Sequence, residues 1–267
     1  MRTYNFPITD AHTHIFPDKL AEKSREYVSD YYHLPMYTTG TVGELLAVRS
    51  RTKITKQLVC SPACVPKQTK SINSFIAEVC HTYDGLIGYG TLHKENEDYK
   101  EEIARMKELG LKGVKFHSDF QGFDIDDPKM LPIYKEIVKQ GLPILFHMGD
   151  PKSQHSLPER LNNLFKQIPD LIVTAAHMGG YMHWEEAYSL PSIPNLYFDC
   201  SSALAFIKPD YMLRMLDRFG VSQFFFGTDF PMWQPEEELR RFAILGLDEQ
   251  IQKAILHDNF ERFISRS

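Results

Sequence analysis

No apolar run in the 267-residue sequence approaches the roughly 18 residues that a bilayer-spanning helix needs, so no membrane partner is expected. The first ten residues, MRTYNFPITD, contain no apolar segment of the secretory kind, and a cytoplasmic protein is expected. Cysteine is scarce, at four residues: Cys60, Cys64, Cys80 and Cys200. Cys60 and Cys64 form a CxxxC pair, but no second closely spaced pair follows to build a structural zinc site. All four are therefore read as reduced thiols. Neither sign of charge dominates, with 30 basic and 35 acidic residues and a net charge of −5. That balance, without a Lys/Arg block, argues against nucleic acid as the main partner. Low-complexity segments, linkers and long-period repeats are also absent.

What the chain does have is alternation. The apolar runs FPITDAH, KQLVCSP, GLIGYGTL, LKGVKFH, LPILFHMG, LIVTAAHMGG, NLYFDCS and QFFFGTDFP each precede a stretch of helical character. Near-continuous apolar strands are those buried on both faces, as in a parallel sheet. Strand–helix alternation implies parallel pairing through right-handed crossovers. Eight such units predict a single (β/α)8 (TIM) barrel, an α/β fold occupying residues 1–267 as one domain. A doubly wound open sheet is the competing arrangement. It would usually have fewer strands and often carries a Gly-rich turn after the first; here the first strand ends in His-Thr-His.

Several of these apolar strands end in residues that do not belong in a core. The first carries Asp10, His12 and His14, the fourth Lys115 and His117, and the fifth His147. The sixth ends in His177, the seventh carries Asp199, and the eighth Asp229. In a barrel the C-terminal strand ends converge on one mouth. His12 and His14 are two apart, so both point to the same side of their strand. His147 and Asp229 add a third imidazole and a carboxylate from other strands. Three neutral imidazoles and one carboxylate suit one divalent cation, zinc first, with Mn2+, Fe2+ or Co2+ as alternatives. Asp229 has a second expected task, accepting a proton from a cation-activated water, and His177 is expected beside the cation as general acid/base, as the group orienting the water, or as the group polarising a substrate carbonyl. Phe16, after the first strand, and Trp233, after Asp229, are candidates for contact with a small, anionic substrate, together with Lys115 and His117.

The ordered set DAHTHIF, GVKFH, LPILFHMG, AAHMGG, GTDFP and ILHDNFERF spans Asp10 to Phe263. It resembles the amidohydrolase superfamily, specifically the amidohydrolase-related branch that includes aminocarboxymuconate semialdehyde decarboxylase. The resemblance implies a TIM barrel with a metal at its C-terminal mouth. It implies His12, His14, His147 and Asp229 as ligands and His177 as the catalytic histidine. Superfamily members with two metals bridge them through a carboxylated lysine at the place of Lys115, whereas this branch typically holds one ion. Relatives are often homodimers.

Two activities follow as expectations. The first is hydrolysis of a small amide, ester or lactone by a metal-activated water attacking its carbonyl. The second is nonoxidative decarboxylation of an aromatic or unsaturated carboxylic acid. Hydrolysis is preferred on two features. The chain is short for the known decarboxylases, and hydroxybenzoate decarboxylases tend to carry a carboxylate where this chain has His12. A non-catalytic metal-binding barrel is the third reading, and it predicts that some of the five key residues would be missing.

Overall fold

The computed structural model describes residues 4–266. Eight strand positions form the barrel: β1 (Ile8–His14), β2 (Ile54–Cys60), β3 in two pieces (Leu86–Gly88 and Gly90–Thr91), β4 (Val114–Phe116), β5 (Ile144–Phe146), β6 (Val173–Ala175), β7 (Leu196–Asp199) and β8 (Phe224–Phe225). Neighbouring strands of the described residues pair in parallel. The run GLIGYGTL, expected as one strand, breaks at Tyr89. The Tyr89 ring lies so close over Gly113 that a Cβ there would sit 2.4 Å from it. The ladder continues across the break, from Tyr89 N–H to Val59 O at 3.0 Å and from Gly90 N–H to Gly113 O at 2.9 Å.

β1 and the end of β8 close the cylinder. Ala11 N–H donates to Phe226 O at 2.8 Å, His14 N–H to Phe230 O at 2.6 Å and Asp229 N–H to His12 O at 2.9 Å. Inside the seam, the buried Asp10 carboxylate accepts from the Thr228 hydroxyl at 2.6 Å and the Thr228 N–H at 2.9 Å. This pins together the two strands that carry His12, His14 and Asp229.

The helices that matter for the site are α1 (Asp18–Tyr32), α2 (Val42–Arg51), α3 (Thr69–Thr82), α4 (Tyr99–Glu108), the single turn α5 (Ser118–Gln121), α6 (Leu131–Lys139), α7 (Pro158–Gln167), α8 (Trp184–Tyr188), α9 (Pro209–Phe219) and α10 (Pro235–Ile244). Most wrap the barrel with an apolar face inward, as α9 does with Tyr211, Met212, Met215, Leu216 and Phe219 buried. The expected helix DEQIQKAIL is instead α11 (Glu249–Lys253), a π turn (Ala254–Asp258) and α12 (Asn259–Ile264). The Ile255 carbonyl in that π turn accepts from Phe226 N–H at 3.0 Å, so the interruption ties the C-terminal segment to the barrel. No helix among the described residues is long and apolar enough to cross a membrane.

Candidate active site

Alternation along β1 turns His12 and His14 to one side, and their Nε2 atoms lie 3.2 Å apart. Asp229 Oδ1 stands 3.6 Å from His12 Nε2 and 3.3 Å from His14 Nε2. Three ligand-type atoms thus converge within about one atomic diameter of each other. Asp199, at the end of β7, explains the orientation of His12. Its Oδ2 lies 3.0 Å from His12 Nδ1, which places the ring hydrogen on Nδ1 and leaves a bare lone pair on Nε2. Burial pushes His12 down to about 4, with the Lys115 cation adding to the shift, so the imidazole is neutral at pH 7. On the far side of His14, Nδ1 faces the buried Cys60 Sγ at 3.7 Å. Burial would raise the Asp229 carboxyl, yet His12 and His14 hold it well below the usual carboxylate range.

Gly227, two residues after β8, is required by close approach. A Cβ there would sit 3.0 Å from the Cβ of His12 and 3.2 Å from that of Ser201. Three residues around the cluster adopt left-handed backbone without being glycine: His177 (φ 59°), Ser202 (φ 52°) and Asp229 (φ 57°). Such conformations cost on the order of 1–2 kcal/mol each and persist where surrounding contacts fix them. The contacts here are specific. Ser202 Oγ donates to Asp229 Oδ2 at 2.6 Å and accepts from Trp233 Nε1 at 2.8 Å. His177 N–H donates to Asp199 Oδ1 at 3.1 Å, and His177 Nδ1 lies 2.9 Å from Ser201 O. The Ser201 hydroxyl donates to Asp199 Oδ1 at 2.5 Å and stands 3.0 Å from Nδ1 of both His12 and His177.

The structure does not bring all four expected ligands to one point. His147 has its Nδ1 3.0 Å from His177 Nε2 and its Nε2 3.3 Å from the Tyr32 hydroxyl. Its hydrogen-bond neighbour on the cluster side is His177, whose ring stacks on His12 with centroids 5.3 Å apart. His117 stacks face to face on His147 at 3.8 Å, with Phe120 on its other face at 3.8 Å. Lys115 was expected to meet substrate. It is fully buried beneath the cluster, outside the cavity lining, with Nζ 3.0 Å from His12 Nε2.

Above the cluster opens a cavity of about 800 Å³ lined by His14, His117, His147, His177 and Asp229, and by the expected Phe16 and Trp233. Tyr32 and Asp150 were not anticipated. The Tyr32 hydroxyl sits 3.3 Å from His117 Nε2, 3.3 Å from His147 Nε2 and 3.2 Å from Asp150 Oδ2, and Tyr31 donates to Asp150 Oδ1 at 3.1 Å. The adjacent tyrosines at the end of α1 were a visible signal, but their partners come from loops far along the chain. Arg160, a weaker candidate for a carboxylate ligand, pairs instead with Asp124 and Asp126, each at 2.9 Å. Trp184 supports the site from behind, donating to the His177 carbonyl at 3.0 Å.

The donor set fits a divalent cation. A tetrahedral ion with bonds of about 2.0–2.1 Å to N and O ligands separates those ligands by roughly 3.3 Å. The three observed separations of 3.2, 3.3 and 3.6 Å match it. Without a cation or proton between them, three lone pairs would repel at these distances.

Comparison with known proteins agrees with this architecture. The chain matches part of the 2-amino-3-carboxymuconate-6-semialdehyde decarboxylase of Dictyostelium discoideum, at 27% identity over 132 residues, 41% of this chain. The match spans 37% of the length of that curated relative. Among solved structures, the fold superimposes on 5-carboxyvanillate decarboxylase of Novosphingobium aromaticivorans, which holds manganese and 3-methoxy-4-hydroxy-5-nitrobenzoic acid. The TM-score is 0.77 at 17% identity, covering 98% of this chain and 97% of that one. It also superimposes on a Pseudomonas putida protein assigned as a 2-pyrone-4,6-dicarboxylic acid hydrolase, with a TM-score of 0.70 at 18% identity and 98% of each chain covered. The amidohydrolase family model matches residues 9–265, and the chain, a TIM barrel with its polar cluster at the C-terminal strand ends, belongs to the amidohydrolase family.

Proposed function

We propose that the protein is a metal-dependent decarboxylase of a small unsaturated or aromatic carboxylic acid. The observation that carries this reading is the cluster of His12, His14 and Asp229 at the floor of a cavity walled by flat rings, among them Tyr32, His117, Phe120, Tyr181 and Trp233. Support comes from the activity named for the Dictyostelium relative and from the manganese-bound decarboxylase of similar fold. That structural match runs nearly end to end in both chains, so the shortness of this chain is no ground for preferring hydrolysis. A histidine at position 12, rather than the carboxylate typical of hydroxybenzoate decarboxylases, favours an unsaturated open-chain acid over a hydroxybenzoate.

His12 Nε2, His14 Nε2 and Asp229 Oδ1 are the proposed ligands. His147, the fourth expected from the resemblance, stands one imidazole further out. Zinc and manganese are the first ions to test. A divalent cation here would supply positive charge that anchors an acid and draws negative charge away from the reacting carbon. Decarboxylation breaks the bond between that carbon and the carboxylate, releases CO2 and leaves the electron pair on carbon, which must then take up one proton. His177 is the proposed donor. Its Nδ1–H is held by the Ser201 carbonyl, so it would donate from Nε2 in its doubly protonated form, having first taken that proton from its neighbour His147, whose Nδ1 lies 3.0 Å away. Tyr32 and the stacked His117 hold His147 in register for that exchange.

Hydrolysis is the second reading, favoured by the exposure of the Asp229 carboxylate to the cavity, where it could accept a proton from an attacking water. One screen separates the two. Protein loaded with Mn2+ or Zn2+ is offered unsaturated acids, aromatic acids and lactones. CO2 release supports the decarboxylase. Acid production without CO2 supports the hydrolase. Turnover of none of the three classes under either loading would favour the non-catalytic barrel.

A further inference from the structure

The cavity is far larger than a one-ring acid requires. A void of about 150 Å³ holds benzene, whereas this one measures about 800 Å³. The side chains of His14, His117, His147, His177 and Asp229 line one end, the floor already described. The opposite end lies between two helices. From α1 it is lined by Leu20, Tyr27 and Val28 with Ser24 between them, and from α3 by Ile72 and Phe75 with Ser71 and the preceding Gln68 at its edge. These positions follow the three- and four-residue spacing that puts side chains on one helix face. Lys19 and Lys23, both exposed, also line this end.

Helix α1 is unusual among the helices of the barrel. Of its 15 residues only Ala21 is buried, whereas the 11-residue α9 buries five. Leu20 is 46% exposed and Tyr27 is 55% exposed, although both face the cavity. The C-terminal end of α1 is nonetheless anchored. Tyr31 and Tyr32 bond to Asp150, Tyr27 and Tyr31 pack edge-on against Phe120, and Lys152 donates to the Tyr31 carbonyl. The exposed, largely apolar row of α1 thus lies over a cavity continuous with the polar floor, and that row has room beside it for an apolar group.

We propose that the chamber between α1 and α3 receives an apolar substituent of the substrate, several carbons long, whose carboxylate lies at the His12–His14–Asp229 floor. The proposal rests on the reading of that floor as a carboxylate site, and it narrows the substrate class to acids bearing an extended hydrocarbon tail or a second ring. Burying a methylene contributes about 0.8 kcal/mol, so affinity should climb about tenfold for every two methylenes until the chamber is filled.

The test uses the full chain with Mn2+ and isothermal titration calorimetry. The probes are straight-chain saturated acids from butanoate to decanoate, with 1-hexanol and 1-octanol as tails without a carboxylate. The expected result is a rise of about tenfold per two methylenes among the acids. Leu20→Glu and Phe75→Glu should each cut decanoate binding at least tenfold and leave butanoate unchanged. If alkanols show the same length dependence and bind as tightly as acids of equal length, the chamber stands and the carboxylate reading of the floor falls. If affinity does not depend on length in either series, the chamber proposal is overturned. It is equally overturned if Leu20→Glu leaves the length profile intact but changes the sedimentation coefficient, which would make this face an interface between copies.

Discussion

Asp199 decides which nitrogen of His12 faces the cavity. It accepts from Nδ1 at 3.0 Å, is itself held by Ser201, and thereby fixes a neutral imidazole with its lone pair toward His14 and Asp229. Partners of this kind commonly contribute 10–100-fold to metal affinity. Asp199→Asn, with its amide NH2 turned toward the ring, should therefore weaken Zn2+ or Mn2+ binding by about that factor in a chelator competition. Unchanged affinity would show that His12 is oriented by something else. At this scale the sequence was partly legible. The polar ends of apolar strands marked His12, His14, His177 and Asp229, because a two-residue spacing on a strand dictates a shared face. The role of Asp199, visible only as one more strand-end acid, was not legible. Nor were Ser201, Ser202, Tyr32 and Asp150, which act through loop and helix-end geometry that no local pattern encodes.

Elements were easier to read than their irregularities. Each expected strand-plus-helix unit is present, because buried parallel strands and amphipathic helices leave distinct periodicities. The break of β3 at Tyr89 and the π turn at Ala254–Asp258 left no such mark, since both answer to packing against distant residues. Helix α10 carries a testable burden. Glu238 is fully buried on it, and one of its carboxylate oxygens has no hydrogen-bond partner. Burial pushes its carboxyl up to about 7, outweighing the contact with Arg241. A carboxyl with a raised folded-state value favours the folded protein in its protonated form. That stability is present in full below the ordinary value of 4.5 and is lost as pH rises through about 7. Glu238→Gln should thus be more stable than the parent at pH 8, on the order of 1–3 kcal/mol, and nearly equal to it at pH 5. Urea melts at the two pH values measure this. A variant less stable than the parent at pH 8 would mean that the Arg241 pairing outweighs burial.

Over the whole molecule, closure of β8 onto β1 turns residues more than two hundred positions apart into neighbours. The Asp10–Thr228 bonds and the His12–Asp229 contact both belong to that seam. The barrel itself was readable because its eight repeats leave little alternative topology. The depth of the mouth was not, because it depends on how α1 and α3 lean over it. The same limit explains the fate of Lys115 and His147. Their places at strand ends put both near the cluster, but only the closed barrel shows Lys115 at His12 Nε2 and His147 hydrogen-bonded to His177.

All of the chemistry proposed for this barrel presumes that His12, His14 and Asp229 hold one divalent ion, and calorimetric titration of metal-free protein with Mn2+ or Zn2+ tests it directly. One ion per chain should bind to the parent protein, and His14→Ala, folded by circular dichroism, should lose that site. Equal stoichiometry and affinity in the two proteins, or no binding to the parent by either ion, would contradict the account.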